Sequence, residues 1–161
     1  MILIAYDGSA DAQAAIDLAG TLMSGESATV LTVWEPFVEL MARVGAGSAM
    51  AMADVDFEEL DRASEQQARQ QADEGVERAR EVGLDANSRV RARRRSIAET
   101  ILEEADAVGA RVIVVGTRGL TGMKSLLLGS VSHALLQHAD RPVAVVPSPE
   151  VANARAARRR S

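Results

Sequence analysis

Three glycines and a serine have the residue types and the spacing of an anion-binding loop. They follow the pattern Gly116-x2-Gly119-x9-Gly129-Ser130, between an apolar run at 111–115 and an amphipathic segment that opens at Ser130. Glycine lets the backbone approach a ligand closely and adopt conformations that are closed to other residues. The first turn of a helix presents unpaired N–H groups at the positive end of the helix dipole. We therefore expect this loop to hold the phosphate groups of a nucleotide.

Two common nucleotide-binding motifs do not fit the sequence. A dinucleotide site needs G-x-G-x-x-G after the first strand, whereas the stretch 7–11 (DGSAD) contains one glycine. A Walker A loop needs a lysine directly after its last glycine, and Met123 separates Gly122 from Lys124. NAD, FAD and a P-loop mode of binding are therefore not supported.

No catalytic constellation is visible in the sequence. There is no HExxH, no pair of carboxylates, no Ser–His–Asp order and no cysteine. His133 and His138 lack an acidic or histidine neighbour at metal-ligand spacing, so we interpret both as surface or structural residues. We expect no dedicated catalysis and at most slow hydrolysis of a bound nucleotide, and the residues that would hold a metal stay unassigned.

Alternating strand and helix patterns place the loop at one edge of a parallel sheet. Apolar runs predict strands at 2–6, 28–33, 111–115 and 143–146, and an alternating pattern predicts a further strand at 87–94. The segments between them have helical spacing, with Ser9 as an N-cap and Ser96-x-x-Glu99 as a capping box. The fold class is α/β: an open, doubly wound, Rossmann-like sheet of five parallel strands in the order 3-2-1-4-5, with helices on both faces. Strands 1 and 4 then flank the switch point where ligands bind, which brings Asp7 and Gly116 together.

Length and composition fit one domain followed by a tail. The 161 residues are 47% apolar and 25% charged, which is typical of a soluble globular chain. We assign residues 1–148 to the domain and 149–161 to an Arg-rich, disordered tail. The irregular stretch 37–53, with its small residues, predicts a mobile loop.

The net charge and the hydropathy of the chain argue against two classes of binding partner, nucleic acids and membranes. The net charge of −5 and the low aromatic content of 2% argue against a general nucleic-acid binder. The chain opens without a basic signal-peptide region, and no apolar run is long enough for a membrane span, so we expect no membrane partner and a cytoplasmic location.

The third strand is unusually basic. Arg89, Arg91 and Arg93 alternate with Val90 and Ala92, so one face is fully charged. We favour an edge strand protected from aggregation by charge, with an anion site as the alternative. For the arginines of the tail we favour exposure to solvent, and binding to nucleic acid or to an acidic surface is the alternative.

The motifs resemble those of the universal stress protein (UspA-like) family. The resemblance covers nearly the whole chain and rests on IAYDGS after the first strand, LTVWEP after the second, and VVGTRGLTG and LLLGSVSHALLQHADRPVAVVP around the glycine loop. It implies the adenine nucleotide alpha hydrolase-like form of the fold and a homodimer. The intact G-x2-G-x9-G-S pattern implies the ATP-binding subgroup.

The resemblance also implies a role for each site residue. Asp7 would lie near the ribose and adenosine side, and the backbone of Val33 near the adenine edge. The ribose and phosphates would be held by Val115, Gly116, Arg118 and Gly119, and by Gly129, Ser130, Val131 and Ser132 at the helix start. The implied ligand is ATP, or another adenine nucleotide, with Mg²⁺ or Mn²⁺. Arg118 and Lys124 are expected to be mobile cations beside the phosphates.

Two functions of different classes remain open. The first is an ATP-binding regulatory protein of the stress response, with an unknown protein partner. The alternative is a dimeric interaction module of the same fold that binds no nucleotide and pairs through its last strand, Val143–Val146, an apolar edge. An enzyme of the related pyrophosphatase type is not supported, because its S-G-G-x-D-S loop is missing after the first strand.

Overall fold

The computed structural model describes residues 1–37, 39, 41, 56–119 and 128–160. Most of the stretch in which the sequence predicts a mobile loop, and also Lys124, lie outside the described residues. The strands are β1 (Ile2–Ala5), β2 (Ser27–Trp34), β3 (Asp85–Ala92), β4 (Val112–Gly116) and β5 (Val143–Val146). The helices assigned within the described ranges are α1 (Ala10–Leu22), α2 (Phe57–Glu81), α3 (Ile97–Ala107), α4 (Ser130–His138) and α5 (Pro149–Arg158).

The five strands form one parallel sheet in the order β3-β2-β1-β4-β5, which confirms the predicted topology. The central strand β1 pairs on both sides, with Ile2 opposite Ala28 of β2 and opposite Val112 of β4. Strands β1 and β4 are continuous apolar runs because a central parallel strand is covered on both faces. Their carboxyl ends therefore meet in the middle of the sheet, where the winding reverses.

Helices cover both faces of the sheet and bury two apolar clusters. One cluster packs α1 and α2 against the sheet and includes Ile4, Ile16 and Val76. The other packs α3 and α4 against the opposite face and includes Leu3 and Ile101. Alanines fill much of both clusters, since the chain has few aromatic side chains to occupy the volume between layers.

Side-chain caps fix where two of these helices begin. Ser9 Oγ accepts the Ala12 N–H at 3.2 Å at the start of α1, and Ser96 Oγ accepts the Glu99 N–H at 3.0 Å at the start of α3. Both predicted N-caps are confirmed. The Glu99 carboxylate accepts from Arg95 Nε at 3.0 Å, so this side chain pairs with a cation.

The predicted disorder after residue 148 is wrong, because residues 149–158 form α5. Pro149 stands in the first turn, where its missing N–H costs nothing and its fixed φ suits a helix. The Val151 side chain is only 2% exposed, so the helix buries one apolar side chain. Its start is also tied to α1, because the Ser148 N–H donates to Asp11 Oδ1 at 3.2 Å. No helix among the described residues is long and apolar enough to cross a membrane.

The Arg-rich strand β3 lies at the edge of the sheet, as the favoured interpretation predicts. Its charged face is neutralised by α3, because the buried Glu104 carboxylate accepts from Arg91 at 2.6 and 3.2 Å and pairs with Arg89 at 3.2 Å. Arg93 forms an ion pair with Glu35, which follows β2. These arginines therefore hold the edge strand against the domain.

Candidate functional site

The turn after β1 is a rigid structure that presents Asp7. Gly8 has φ of +78°, a conformation that favours glycine. Asp7 Oδ1 accepts the Ser9 N–H at 3.0 Å, and Gln71 Nε2 of α2 donates to the Asp7 carbonyl at 3.2 Å. The turn is thus fixed both by its own hydrogen bond and by a helix that lies far away in the sequence.

Close packing explains the glycines that follow β4. Neither Gly116 nor Gly119 has a positive φ, so the expectation that they need conformations closed to other residues is wrong. A Cβ atom built on Gly116 would lie 2.7 Å from the Asp11 carbonyl carbon, and one built on Gly119 would lie 2.6 Å from Asp7 Oδ2. The first glycine lets β4 approach α1, and the second brings the loop against the Asp7 carboxylate.

The start of α4 presents backbone amides beside this loop. Its N-cap, Gly129, has no side chain, so no side-chain cap occupies the first amides of the helix. Gly129 itself is tied to the loop, since its N–H donates to the Thr117 carbonyl at 2.8 Å. The buried Ser132 hydroxyl lies 3.0 Å from the carbonyl oxygens of both Thr117 and Gly129, and its single proton is shared between these two acceptors. The Ser132 hydroxyl is therefore already engaged within the protein, and only the amide of this residue could bind an anion. Ser130 is exposed at the start of the helix.

The valines among the predicted site residues offer only backbone groups. Val115 is buried in the sheet core, and Val33 and Val131 pack against the same apolar cluster. Val33 lies near the carboxyl end of β2, in register with Arg91 of the edge strand. The described structure thus gathers the Asp7 turn and the β4 loop at one place, with Val33 one strand further along the sheet edge.

Arg118 is a paired, mostly buried cation rather than the mobile cation that the sequence predicts. Its Nε lies 3.7 Å from Asp11 Oδ2, and its backbone N–H donates to the same oxygen at 3.1 Å. Its carbonyl accepts from Ser9 Oγ at 3.3 Å. The residue between the two glycines is therefore bound to α1 through both its main chain and its side chain.

Sequence reasoning missed three residues that shape this site: Asp11, Gln71 and Thr32. Thr32 Oγ1 donates to the Tyr6 carbonyl at 3.0 Å and fixes the end of β1. Asp11 could have been noticed as an acid in the first turn of α1, where it suits the helix dipole. Gln71 gives no such signal, because it lies within a run of similar polar residues.

The described residues do not form a metal site from protein side chains alone. Among the residues that the structure describes, no group of three or more His, Cys, Asp or Glu side chains could hold a metal ion. Asp7 supplies one carboxylate at the loop. Magnesium in nucleotide sites is commonly bound through one or two carboxylates together with substrate phosphates.

The sheet is open, has the strand order 3-2-1-4-5 and carries helices on both faces, so the protein is Rossmann-like. In such folds the switch point, where the end of β4 and the start of α4 lie, is the usual place for a ligand. A model of the Universal stress protein family matches residues 1–147. The chain belongs to the universal stress protein family.

Curated relatives carry the same family name. A universal stress protein of Thermus aquaticus (in the QAH/OAS sulfhydrylase 3'region) is 33% identical over 147 residues, covering 90% of this chain and 96% of that protein. YxiE of Bacillus subtilis is 47% identical over 49 residues, or 30% of this chain and 33% of YxiE. A Mycolicibacterium smegmatis universal stress protein is 30% identical over 90% of this chain and 47% of its own length. The chain thus spans less than half the length of the last two relatives.

Solved structures share the fold. Hypothetical protein MJ0577 superposes with a TM-score of 0.71 at 22% identity, over 91% of this chain and 94% of that one. A universal stress protein in complex with cAMP gives 0.56 at 23% identity, over 91% and 95%. The Archaeoglobus fulgidus universal stress protein in complex with dAMP gives 0.56 at 21% identity, over 90% and 95%.

Proposed function

We propose that this protein binds an adenine nucleotide, with ATP and Mg²⁺ or Mn²⁺ as the first candidate, and that it acts as a regulatory protein of the stress response. One observation carries the proposal: the G-x2-G segment at the end of β4 lies directly against the start of α1 and the Asp7 turn, where a Cβ on Gly116 would meet the Asp11 main chain and one on Gly119 would meet the Asp7 carboxylate. A cytoplasmic location is part of the proposal and rests on the family resemblance.

The charges suggest how the nucleotide would be oriented. The amides of Ser130, Val131 and Ser132 at the positive end of α4 suit the phosphates. The Asp7 carboxylate would repel phosphate, so it suits a ribose hydroxyl or a cation that the phosphates share. The backbone of Val33, at the end of β2, would then meet the adenine edge.

The ligands of family members support the adenine part of the proposal. Two universal stress proteins of the same fold have been solved with cAMP and with dAMP, which share an adenine base and a phosphate. An adenine nucleotide is therefore the ligand class to test first. The length of the phosphate chain is the part that the experiment must determine.

Isothermal titration calorimetry of the purified protein with ATP and Mg²⁺, and then with AMP and cAMP, tests the proposal. We expect saturable binding that weakens about tenfold, or about 1.4 kcal/mol, in Gly119→Ala, because the new Cβ would displace the Asp7 carboxylate. A folded protein that gives no binding heat with any of the three nucleotides at high micromolar concentration refutes it.

Gly116→Ala is the matched control. Its new Cβ would meet the Asp11 main chain at 2.7 Å, which cannot move as easily as a side-chain end. This variant should therefore lower the melting temperature, whereas Gly119→Ala should stay close to wild type. Equal melting temperatures with equal loss of affinity would contradict the assignment of separate roles to the two glycines.

A second candidate function is a dimeric interaction module that needs no nucleotide. It is favoured by β5, an edge strand whose Val143, Ala144 and Val145 are only half-buried. A dimer in solution that binds none of the three nucleotides would favour this second candidate over the first.

A further inference from the structure

Asp11 is a buried carboxylate in the first turn of α1 and is only 4% exposed. A buried carboxylate is costly unless hydrogen bonds or opposite charges compensate for the lost water. Its two oxygens are each engaged by a main-chain amide: Oδ2 accepts the Arg118 N–H at 3.1 Å and Oδ1 accepts the Ser148 N–H at 3.2 Å. The Arg118 guanidinium adds a positive charge at 3.7 Å.

The partners of Asp11 lie at the ligand loop. Arg118 stands between the two loop glycines, and its N–H and carbonyl are bound by Asp11 and Ser9 respectively. Both side chains belong to the start of α1, so this helix sets the orientation of the Arg118 peptide. The close approach at Gly116, where a Cβ would meet the Asp11 main chain, leaves little room for the loop to shift.

We infer that Asp11 is a positioning residue for the nucleotide site, one that holds the loop after β4 in the conformation that receives phosphate. This inference rests on the proposed function. Asp11 acts through the main chain of Arg118 and needs no contact with the ligand. Without this carboxylate, the Arg118 amide loses the acceptor at 3.1 Å and the guanidinium loses the negative charge at 3.7 Å, so the loop between the glycines loosens.

A purely structural role is the competing explanation, and Glu104 provides the matched control. It is also 4% exposed, and its carboxylate is also held by arginine, but its partners lie on the edge strand β3. Replacement of either acid by its amide should reduce stability. Only the change at Asp11 should alter the ligand loop.

The test compares Asp11→Asn with Glu104→Gln in three measurements: ATP affinity by calorimetry, melting temperature, and hydrogen exchange of the Arg118 amide without nucleotide. An asparagine oxygen can accept from only one of the two amides that Asp11 binds. We expect Asp11→Asn to weaken ATP binding about tenfold and to speed exchange at Arg118. Glu104→Gln should lower the melting temperature and leave the other two measurements at wild-type values.

The remaining outcomes are also decisive. If Asp11→Asn melts earlier but keeps wild-type affinity and wild-type exchange at Arg118, the residue is only structural and the inference fails. If the wild-type protein binds no nucleotide while Asp11→Asn speeds exchange at Arg118, the proposed function fails but the control of the loop by Asp11 is established.

Discussion

Tyr6 joins the β1 end of the site to α2 through a buried hydroxyl. The ring is 3% exposed, and its hydroxyl donates to Glu74 Oε1 at 3.0 Å. Burial, with the hydrogen bond to the nearby carboxylate as a second cause, raises the pKa of Tyr6 from 10.0 to about 12. Both causes favour the neutral phenol, because the phenolate would lose its water and face a negative charge.

Because the pKa of Tyr6 is raised, the free energy of unfolding changes with pH in the alkaline range. The folded state keeps the phenol proton at pH values where the unfolded chain has lost it, so this contribution is complete below pH 10 and is lost as the pH rises towards 12. Tyr6 is the single tyrosine of the chain, so the tyrosinate absorbance reports this group alone. We expect a titration midpoint well above 10 in the folded protein.

Tyr6→Phe provides the control for this titration. It lacks the ionisable group, so its urea unfolding free energy should change less than that of wild type between pH 10 and pH 12. A wild-type absorbance midpoint at the ordinary tyrosine value, measured while circular dichroism shows a folded chain, would contradict the buried hydrogen bond.

Some residues that shape the site can be predicted from the sequence, but only those whose hydrogen-bond partners lie nearby in the chain. Ser9 and Gly8 are visible as a cap and a turn, because their partners lie within three residues. The contacts of Asp11 with Arg118 and of Gln71 with Asp7 cannot be predicted, because the partners are 107 and 64 residues apart in the chain. Hydrogen bonds between distant segments leave no pattern in a single sequence.

Among the helices and strands, α5 is the one that sequence analysis failed to predict, because its arginine-rich composition was given more weight than the helix-start residues that precede it. The arginines at 155–160 suggest a solvated tail. Ser148-Pro149-Glu150 is nevertheless a helix start, with proline and an acid in the first turn. One buried residue, Val151, decides that the helix packs on the domain, and periodicity cannot reveal a single contact of this kind.

Val151→Ala tests whether α5 is part of the folded domain. Loss of two buried carbons, together with any remaining cavity, should lower the free energy of unfolding by about 1–3 kcal/mol. Asn153→Ala, at an exposed position of the same helix, should change it by less than about 0.5 kcal/mol. Urea denaturation followed by circular dichroism measures both, and equal stabilities of the two variants would show that α5 does not contribute to the core.

For the whole molecule, the strand order was the most predictable feature. Alternating strand and helix patterns require parallel strands with right-handed crossovers, which leaves few possible topologies. The order also fixes the two edges, β3 and β5, and these edges differ. Ion pairs with α3 hold the arginines of β3, whereas β5 presents half-buried Val143, Ala144 and Val145. Self-association is therefore expected at β5.

The hydrogen-bond pattern of β5 provides a sharp test of this dimer. Ile113 N–H donates to the Pro142 carbonyl and Thr117 N–H to the Val146 carbonyl, so the even-numbered residues of β5 bond to β4. In a parallel ladder the alternate residues then direct their N–H groups outwards, which leaves the Val145 N–H for a partner strand. Val145→Pro should remove one intermolecular hydrogen bond and leave the bonds to β4 intact.

Sedimentation velocity of the wild-type chain at micromolar concentration should show a dimer. Val145→Pro should shift it to monomer and lower the melting temperature less than Ala144→Pro does, because it loses only a partly buried side chain and no bond to β4. Ala144→Pro is the matched variant, because it removes a donor to β4 and should destabilise the fold itself. A Val145→Pro protein that stays dimeric would exclude β5 pairing as the interface, as would a wild-type chain that sediments as a monomer. Because the G-x2-G loop ends β4, the neighbour of β5, a dimer of this kind would place the two ligand loops one strand away from the shared edge.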